Sequence, residues 1–188
     1  MSIFLIIKGG INMEKLPKNL NVLYSMDELQ ERIKEVGEKI SEDYKDVEEV
    51  IIVSILKGAI FYTVDLMKNL KMNTILDFMK VSSYEGTEST GIINIKQDLS
   101  TNIEGKHVLI VEDIVDTGRT LKRLKEELLK RNPASLKITC LMDKKERREV
   151  ELEADYVCFE IPNKFVVGYG FDIDDKYRNI PYVGYIEE

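Results

Sequence analysis

Short β-branched runs alternate with amphipathic helical stretches through the middle of this chain, and few architectures accommodate that order. Val50 to Leu56 is a continuous apolar run broken by Lys57-Gly58, and Ala59 to Leu70 after it has helical character. Thr74 to Ser83 reads as a strand, Tyr84 to Gly91 as a long polar hairpin loop, and Ile92 to Lys96 as the returning strand. His107 to Val111 is another apolar run, Arg119 to Arg131 carries Leu121, Leu124 and Leu128 on one helical face, and Leu136 to Met142 is apolar again. Apolar runs of this length bounded by turn residues are strands, whereas spacings of three and four mark helices. The order predicts an α/β fold: a mostly parallel twisted sheet flanked by helices, with ligands at the carboxyl ends of the strands.

The two ends of the chain depart from the pattern. Ser25 followed by Glu28 is a capping box, and Met26, Leu29, Ile33, Val36 and Ile40 continue from it at helical spacing. From Ile161 onward the chain is rich in Gly, Pro and Tyr without helical period, which predicts loops and short strands. Residues 13–45 and 161–188 are expected to form a small hood over one domain spanning residues 1–188. The 188 residues leave no room for a second module, and 44% hydrophobic content suffices for one core. Residues 1–12 are expected to be a dispensable extension, with Met13 as an alternative start.

Scarce residues exclude whole chemistries. His107 is the sole histidine and precedes an apolar run, so a His-rich zinc site is ruled out. Cys140 and Cys158 lie in apolar stretches without metal-ligand spacing, as expected of reduced core thiols in a cytoplasmic protein. Twenty-seven basic against 34 acidic residues give a net charge of −7, which argues against nucleic acid or an anionic membrane as a partner. No apolar run approaches the roughly 20 residues that span a bilayer.

The chemistry concentrates in Val108-Leu109-Ile110-Val111-Glu112-Asp113-Ile114-Val115-Asp116-Thr117-Gly118-Arg119-Thr120-Leu121. An apolar strand runs into two adjacent carboxylates, a third follows, and a small, hydroxyl-rich turn opens a helix. Such a turn offers backbone N–H groups, the Thr117 and Thr120 hydroxyls and a positive helix end to a phosphate monoester. Carboxylates just ahead of it suit a sugar's vicinal hydroxyls. A ribose 5-phosphate fits both halves. The GxxxxGK[ST] spacing is absent and no GxGxxG follows a strand, so ATPase and dinucleotide readings lose their support.

Glu112 to Leu121 resembles the phosphoribosyl-pyrophosphate signature of the type I phosphoribosyltransferases. The resemblance extends from Met13 across almost the whole chain and narrows to the hypoxanthine-guanine branch. Ser54-Ile55-Leu56-Lys57-Gly58 is similar to that branch's pyrophosphate-binding turn, Ser82-Ser83-Tyr84 to its flexible loop and Asp143-Lys144 to its purine-reading lysine. Lys164-Phe165-Val166-Val167-Gly168-Tyr169-Gly170-Phe171-Asp172 is similar to its base pocket.

The resemblance implies a role for each of these residues. Glu112 and Asp113 would hold the ribose hydroxyls, directly and through magnesium-bound water, with Asp172 as a further metal ligand. Asp116, Thr117, Gly118, Arg119 and Thr120 would wrap the 5′-phosphate, and Asp116 would also accept the proton or hydrogen bond of purine N7 as N9 attacks C1′. Leu56, Lys57, Gly58 and Arg178 would neutralise pyrophosphate, the Leu56-Lys57 peptide being cis, while Ser83 and Tyr84 close over the site. Lys144, a donor only, would select a 6-oxo over a 6-amino purine. Phe165, which alone would read as a core aromatic, would stack on the base, with the carbonyls of Val166 and Asp172 reading a 2-amino group.

The branch's common Asp-Lys-Pro is here Asp143-Lys144-Lys145, which makes Lys145 a competitor for the reading role. Magnesium, phosphoribosyl pyrophosphate, a 6-oxopurine and assembly into homodimers or homotetramers are the implied partners. Two alternatives share the fold: a transferase for xanthine or another nucleobase, and a phosphoribosyl-pyrophosphate-sensing RNA-binding regulator. The acidic net charge disfavours the regulator.

Overall fold

The structure, a computed structural model, describes residues 16, 17, 19–83 and 93–187. The proposed extension and the loop from Tyr84 to Gly91 lie outside the described residues. In chain order the elements are β1 (Leu20–Tyr24), α1 (Met26–Asp43), β2 (Glu49–Ile55), α2 (Ile60–Met67), β3 (Asn73–Ser83), β4 (Ile93–Gln97), β5 (His107–Val115), α3 (Arg119–Leu129), β6 (Ser135–Asp143), β7 (Tyr156–Glu160), β8 (Val166–Val167) and β9 (Val183–Ile186).

Six strands form one sheet in the order β4-β3-β2-β5-β6-β7. All neighbours run parallel except β4, which returns antiparallel along β3 at one edge. The central strands read as unbroken apolar runs because both sheet faces are covered. Val50, Ile52, Leu109 and Val111 face Leu29, Ile33 and Ile40 of α1 and Tyr62 and Leu66 of α2. The alternate residues Ile51, Val53, Val108 and Ile110 face Leu121, Leu124 and Leu128 of α3. Each fully buried leucine contributes about 1.5–3 kcal/mol by leaving water. Polar groups buried within this core pair with one another, Ser54 Oγ with Thr63 Oγ1 at 2.7 Å and Tyr62 Oη with Thr139 Oγ1 at 2.6 Å.

The predicted capping box starts α1: the Glu28 N–H donates to Ser25 Oγ at 3.3 Å and the Ser25 N–H to Glu28 Oε2 at 2.8 Å. Among the described residues of the stretch 13–45 expected in the hood, Leu16 and β1 lie there, whereas α1 packs on the large sheet. The hood is a three-stranded antiparallel sheet, β1-β9-β8, over Val167, Ile180 and Tyr182. Two features of the large sheet were not anticipated. β5 continues through Val115, because β6 supplies ladder partners as far as the Val115–Asp143 pair. β7 follows β6 without an intervening α-helix, through a single 3-10 turn at Lys145–Arg147, so strand–helix alternation stops there.

Among the described residues no helix is long and apolar enough to cross a membrane. Both cysteines are buried and free, and burial pushes the Cys158 thiol up to about 12, far from nucleophilic readiness at neutral pH.

Candidate active site

Parallel pairing brings the carboxyl ends of β2, β5 and β6 to one edge of the sheet, each followed by a sharp turn. These turns carry Leu56-Lys57-Gly58, Asp116-Thr117-Gly118 and Lys144. Nearly all the chemistry read from the sequence therefore collects at one rim.

The turn after β5 has the features of an anion cradle. Gly118 takes φ 78°, the left-handed region that other residues adopt only at a cost. As N-cap it has no side chain to offer α3, whose first N–H, of Arg119, makes a long contact of 3.5 Å to Thr117 Oγ1. Glu112, Ile114, Val115, Asp116, Thr117, Gly118, Thr120 and Leu121 line a cavity of about 130 Å³. Arg119 points away from it, pairing with Glu149 at the surface.

Glu112 and Asp113 sit side by side within β5, near its carboxyl end. Burial, reinforced by the neighbouring Asp113 charge, holds the Glu112 carboxyl well above its ordinary range. Burial also raises Asp113, against hydrogen bonds and the charge of Arg178. The Ile114 N–H donates to Asp113 Oδ1 at 2.7 Å. The other oxygen faces the turn after β2, where a Cβ on Gly58 would fall 1.5 Å from Oδ2. The Leu56-Lys57 peptide in that turn is cis, as the resemblance implied.

Arg178 comes to this rim from the hood. Its Nη1 donates to the Gly170 carbonyl at 2.6 Å, and its Nη2 approaches Asp172 Oδ1 at 2.7 Å and Asp175 Oδ1 at 3.1 Å. Lys57 Nζ reaches the same Asp175 oxygen at 2.9 Å, and the two cations hold the Asp175 carboxyl below its usual range. Lys57 and Arg178 thus share one carboxylate, an arrangement able to accept a polyanion. Asp172 stands on Arg178, and its other oxygen accepts the Asp175 N–H at 2.8 Å. No three His, Cys, Asp or Glu side chains converge among the described residues, so Asp172 would have to leave Arg178 to join Glu112 and Asp113 on a metal.

At the end of β6, Lys144 is turned inward, its side chain 9% exposed and its ammonium 3.9 Å from Asp116 Oδ2. Burial lowers its pKa, with Asp116 opposing and Arg147 adding to the fall. Lys145 turns outward instead, pairing with Glu160 at the surface. Phe165 is 56% exposed, against expectation for a core aromatic, while Val166 beside it is buried in β8. Ser83 ends β3 opposite Ile93, and Tyr84 lies outside the described residues.

Sequence reasoning overlooked Asp175, which bridges the two cations, and Arg147 and Arg148, which both reach Asp116. Within Lys144-Lys145-Glu146-Arg147-Arg148 a charge run looks like a solvated surface. No periodicity marked the turn that folds it inward.

The model of the phosphoribosyl transferase domain matches residues 25–174. The chain belongs to the phosphoribosyltransferase family. It is 52% identical over 168 residues to the hypoxanthine-guanine phosphoribosyltransferase of Streptococcus pneumoniae, covering 89% of this chain and 93% of that one. Among solved structures, a hypoxanthine phosphoribosyltransferase from Staphylococcus aureus has a TM-score of 0.86 at 45% identity, covering 90% of this chain and 92% of that one. A hypoxanthine-guanine phosphoribosyltransferase from Bacillus anthracis has a TM-score of 0.85 at 42% identity, covering 89% and 98%. The type I phosphoribosyltransferase fold expected from the sequence is the fold observed.

Proposed function

We propose that this phosphoribosyltransferase is a purine-salvage enzyme. It moves the 5-phosphoribosyl group from phosphoribosyl pyrophosphate to N9 of hypoxanthine or guanine, giving IMP or GMP and pyrophosphate. The observation that carries the reading is the inward Lys144 ammonium 3.9 Å from Asp116 at the mouth of the phosphate turn. A 6-oxopurine placed there meets a donor at its oxygen and a carboxylate at its imidazole edge, whereas the 6-amino group of adenine meets a second donor.

The N–H groups of residues 117–120 bind the 5′-phosphate, Glu112 and Asp113 the ribose hydroxyls, and Lys57, Gly58 and Arg178 the departing pyrophosphate. Asp116 accepts the N7 proton or its hydrogen bond as N9 attacks C1′. Phe165, exposed beside β8, covers the face of the base.

Two adjacent carboxylates whose charge is poorly compensated are hard oxygen donors, and magnesium is commonly held by one or two carboxylates together with substrate phosphates. Glu112 and Asp113 would hold that ion, which when bound supplies positive charge against the diphosphate. The exposed apolar side chains Ile60, Phe61 and Val64 on α2 support self-association into a dimer or tetramer, which sedimentation would test. Buried reduced thiols support a cytoplasmic location.

The test is incubation with magnesium, phosphoribosyl pyrophosphate and, separately, hypoxanthine, guanine, xanthine and adenine, with the nucleotide product identified. IMP and GMP are expected. A preference for adenine would overturn the base assignment, and a preference for xanthine would replace it.

A further inference from the structure

The segment after Lys144 folds back over the phosphate turn. The Arg147 N–H returns to the Lys144 carbonyl at 2.9 Å and the Arg148 N–H to the Lys145 carbonyl at 3.1 Å, closing the 3-10 turn. From it the Arg148 guanidinium reaches three acceptors: the Asp116 main-chain carbonyl, the Asp143 carboxylate and the Leu152 carbonyl, the last at 3.1 Å. The next residue adds a backbone link, the Glu149 N–H donating to the Thr117 carbonyl at 3.0 Å. Behind the turn the strap is in close contact, since a Cβ on Gly118 would lie 3.0 Å from Arg148 Cδ and 3.2 Å from Val150 Cγ2.

Arg148 and Asp143 are an expensive way merely to fill space. Their side chains are 12% and 0% exposed; Arg148 holds Asp143 Oδ1, and the buried Oδ2 has no hydrogen-bond partner among the described residues. Buried ion pairs are often no more stabilising than apolar side chains of the same size. An apolar side chain, however, cannot orient a carbonyl. In a trans peptide the C=O and the next N–H point in opposite directions. With the Asp116 carbonyl drawn toward Arg148 and the Thr117 carbonyl toward the Glu149 N–H, the N–H groups of Thr117 and Gly118 are turned the other way, toward the cavity.

We propose that Arg148 is a positioning residue. Braced against Asp143, it fixes the Asp116–Thr117 and Thr117–Gly118 peptides so that their N–H groups meet the 5′-phosphate. Because it lies four residues after Lys144 on the same turn, it also ties the base-reading lysine to the phosphate turn as one rigid unit. The inference rests on the phosphate reading given above.

Three full-length variants test it: Arg148→Lys, Arg148→Met, and Arg148→Met combined with Asp143→Asn, which avoids a stranded buried carboxylate. Ribose 5-phosphate binding is titrated well below each melting temperature, and kcat and KM for the sugar donor are measured. Preorganised contacts to charged groups predict a Kd and a KM raised about tenfold to a hundredfold, with kcat changed much less. Arg148→Lys, which keeps the charge but cannot reach three acceptors, is expected to fall between the parent and Arg148→Met.

A lower melting temperature with ribose 5-phosphate affinity within about twofold of the parent would mean a purely structural role and overturn the proposal. So would failure of all three variants to fold. A parent protein that does not bind ribose 5-phosphate saturably would overturn the phosphate reading itself, a result distinct from equal binding by parent and variants.

Discussion

A Cβ on Gly58 would stand 1.5 Å from Oδ2 of Asp113, so the turn after β2 rests directly on a carboxylate at the end of β5. The same turn touches the hood, where a Cβ on Gly170 would lie 2.1 Å from the Gly58 carbonyl oxygen. Three segments far apart in sequence meet here without space for one methyl group. Replacement of Gly58 by alanine must move either Asp113 or the turn. Because misplacement of about 1 Å at a reacting site costs on the order of 10²-fold, Gly58→Ala should lose at least that in kcat/KM. The melting temperature, measured in parallel, should fall only by a few degrees.

Asp116 offers a separation of chemistry from binding. Asp116→Asn keeps the shape and one acceptor oxygen but cannot take a proton or stabilise positive charge on the purine. Turnover should fall by about 10²- to 10⁴-fold, the usual contribution of a general base, while KM for the sugar donor stays near the parent value. Steady-state constants with hypoxanthine check this. Parent-like turnover would show that another group activates the base.

The sheet and the turn that opens α3 were legible because their signals are local. Unbroken β-branched runs specify strands buried on both faces, and Leu121, Leu124 and Leu128 specify the helix that covers one of them. The extension of β5 through Glu112 and Asp113 was hidden because adjacent charges look like a strand end. Only the partner strand β6 shows that the ladder continues there. β7 was missed because Tyr156–Glu160 is a short edge strand whose place depends on β6. Arg148 was beyond reach, since its contact with Asp116 spans 32 residues and is made by a side chain in a charge run.

Lys144 and Lys145 have opposite surroundings, and their alanine variants should differ accordingly. Lys144→Ala removes the inward donor and should weaken use of 6-oxopurines by about 1.5–3 kcal/mol, the worth of a hydrogen bond to a charged group. Lys145→Ala removes a solvent-exposed partner of Glu160, and solvent screens a surface pair of this kind. Its kinetic constants should stay close to those of the parent. A larger effect at Lys145 in competition assays with hypoxanthine and guanine would reverse the assignment.

Asp77 should make the stability of the sheet pH-dependent from below. Its carboxylate is almost fully buried in β3 and accepts N–H groups from Phe78 at 2.8 Å, Ser100 at 2.9 Å and Thr101 at 2.8 Å, fastening the segment between β4 and β5. Burial alone would raise its pKa, but the hydrogen bonds from Phe78, Thr101 and Ser100 outweigh it and hold the carboxyl below its ordinary range. With the folded pKa below the unfolded one, near 3.9 in a model peptide, the stabilisation is fully present above about that pH. It is lost as pH falls through the lower folded value. Asp77→Ala leaves buried donors unmatched and should cost roughly 1–3 kcal/mol or more at pH 7. Asp77→Asn should cost less, since one oxygen can still accept. Urea unfolding of the parent and of Asp77→Asn between pH 7 and pH 2 should show the gap between them narrowing only below about pH 4, the ordinary carboxylate range. A constant gap across that range would mean that the charge on Asp77 contributes nothing to fastening the segment.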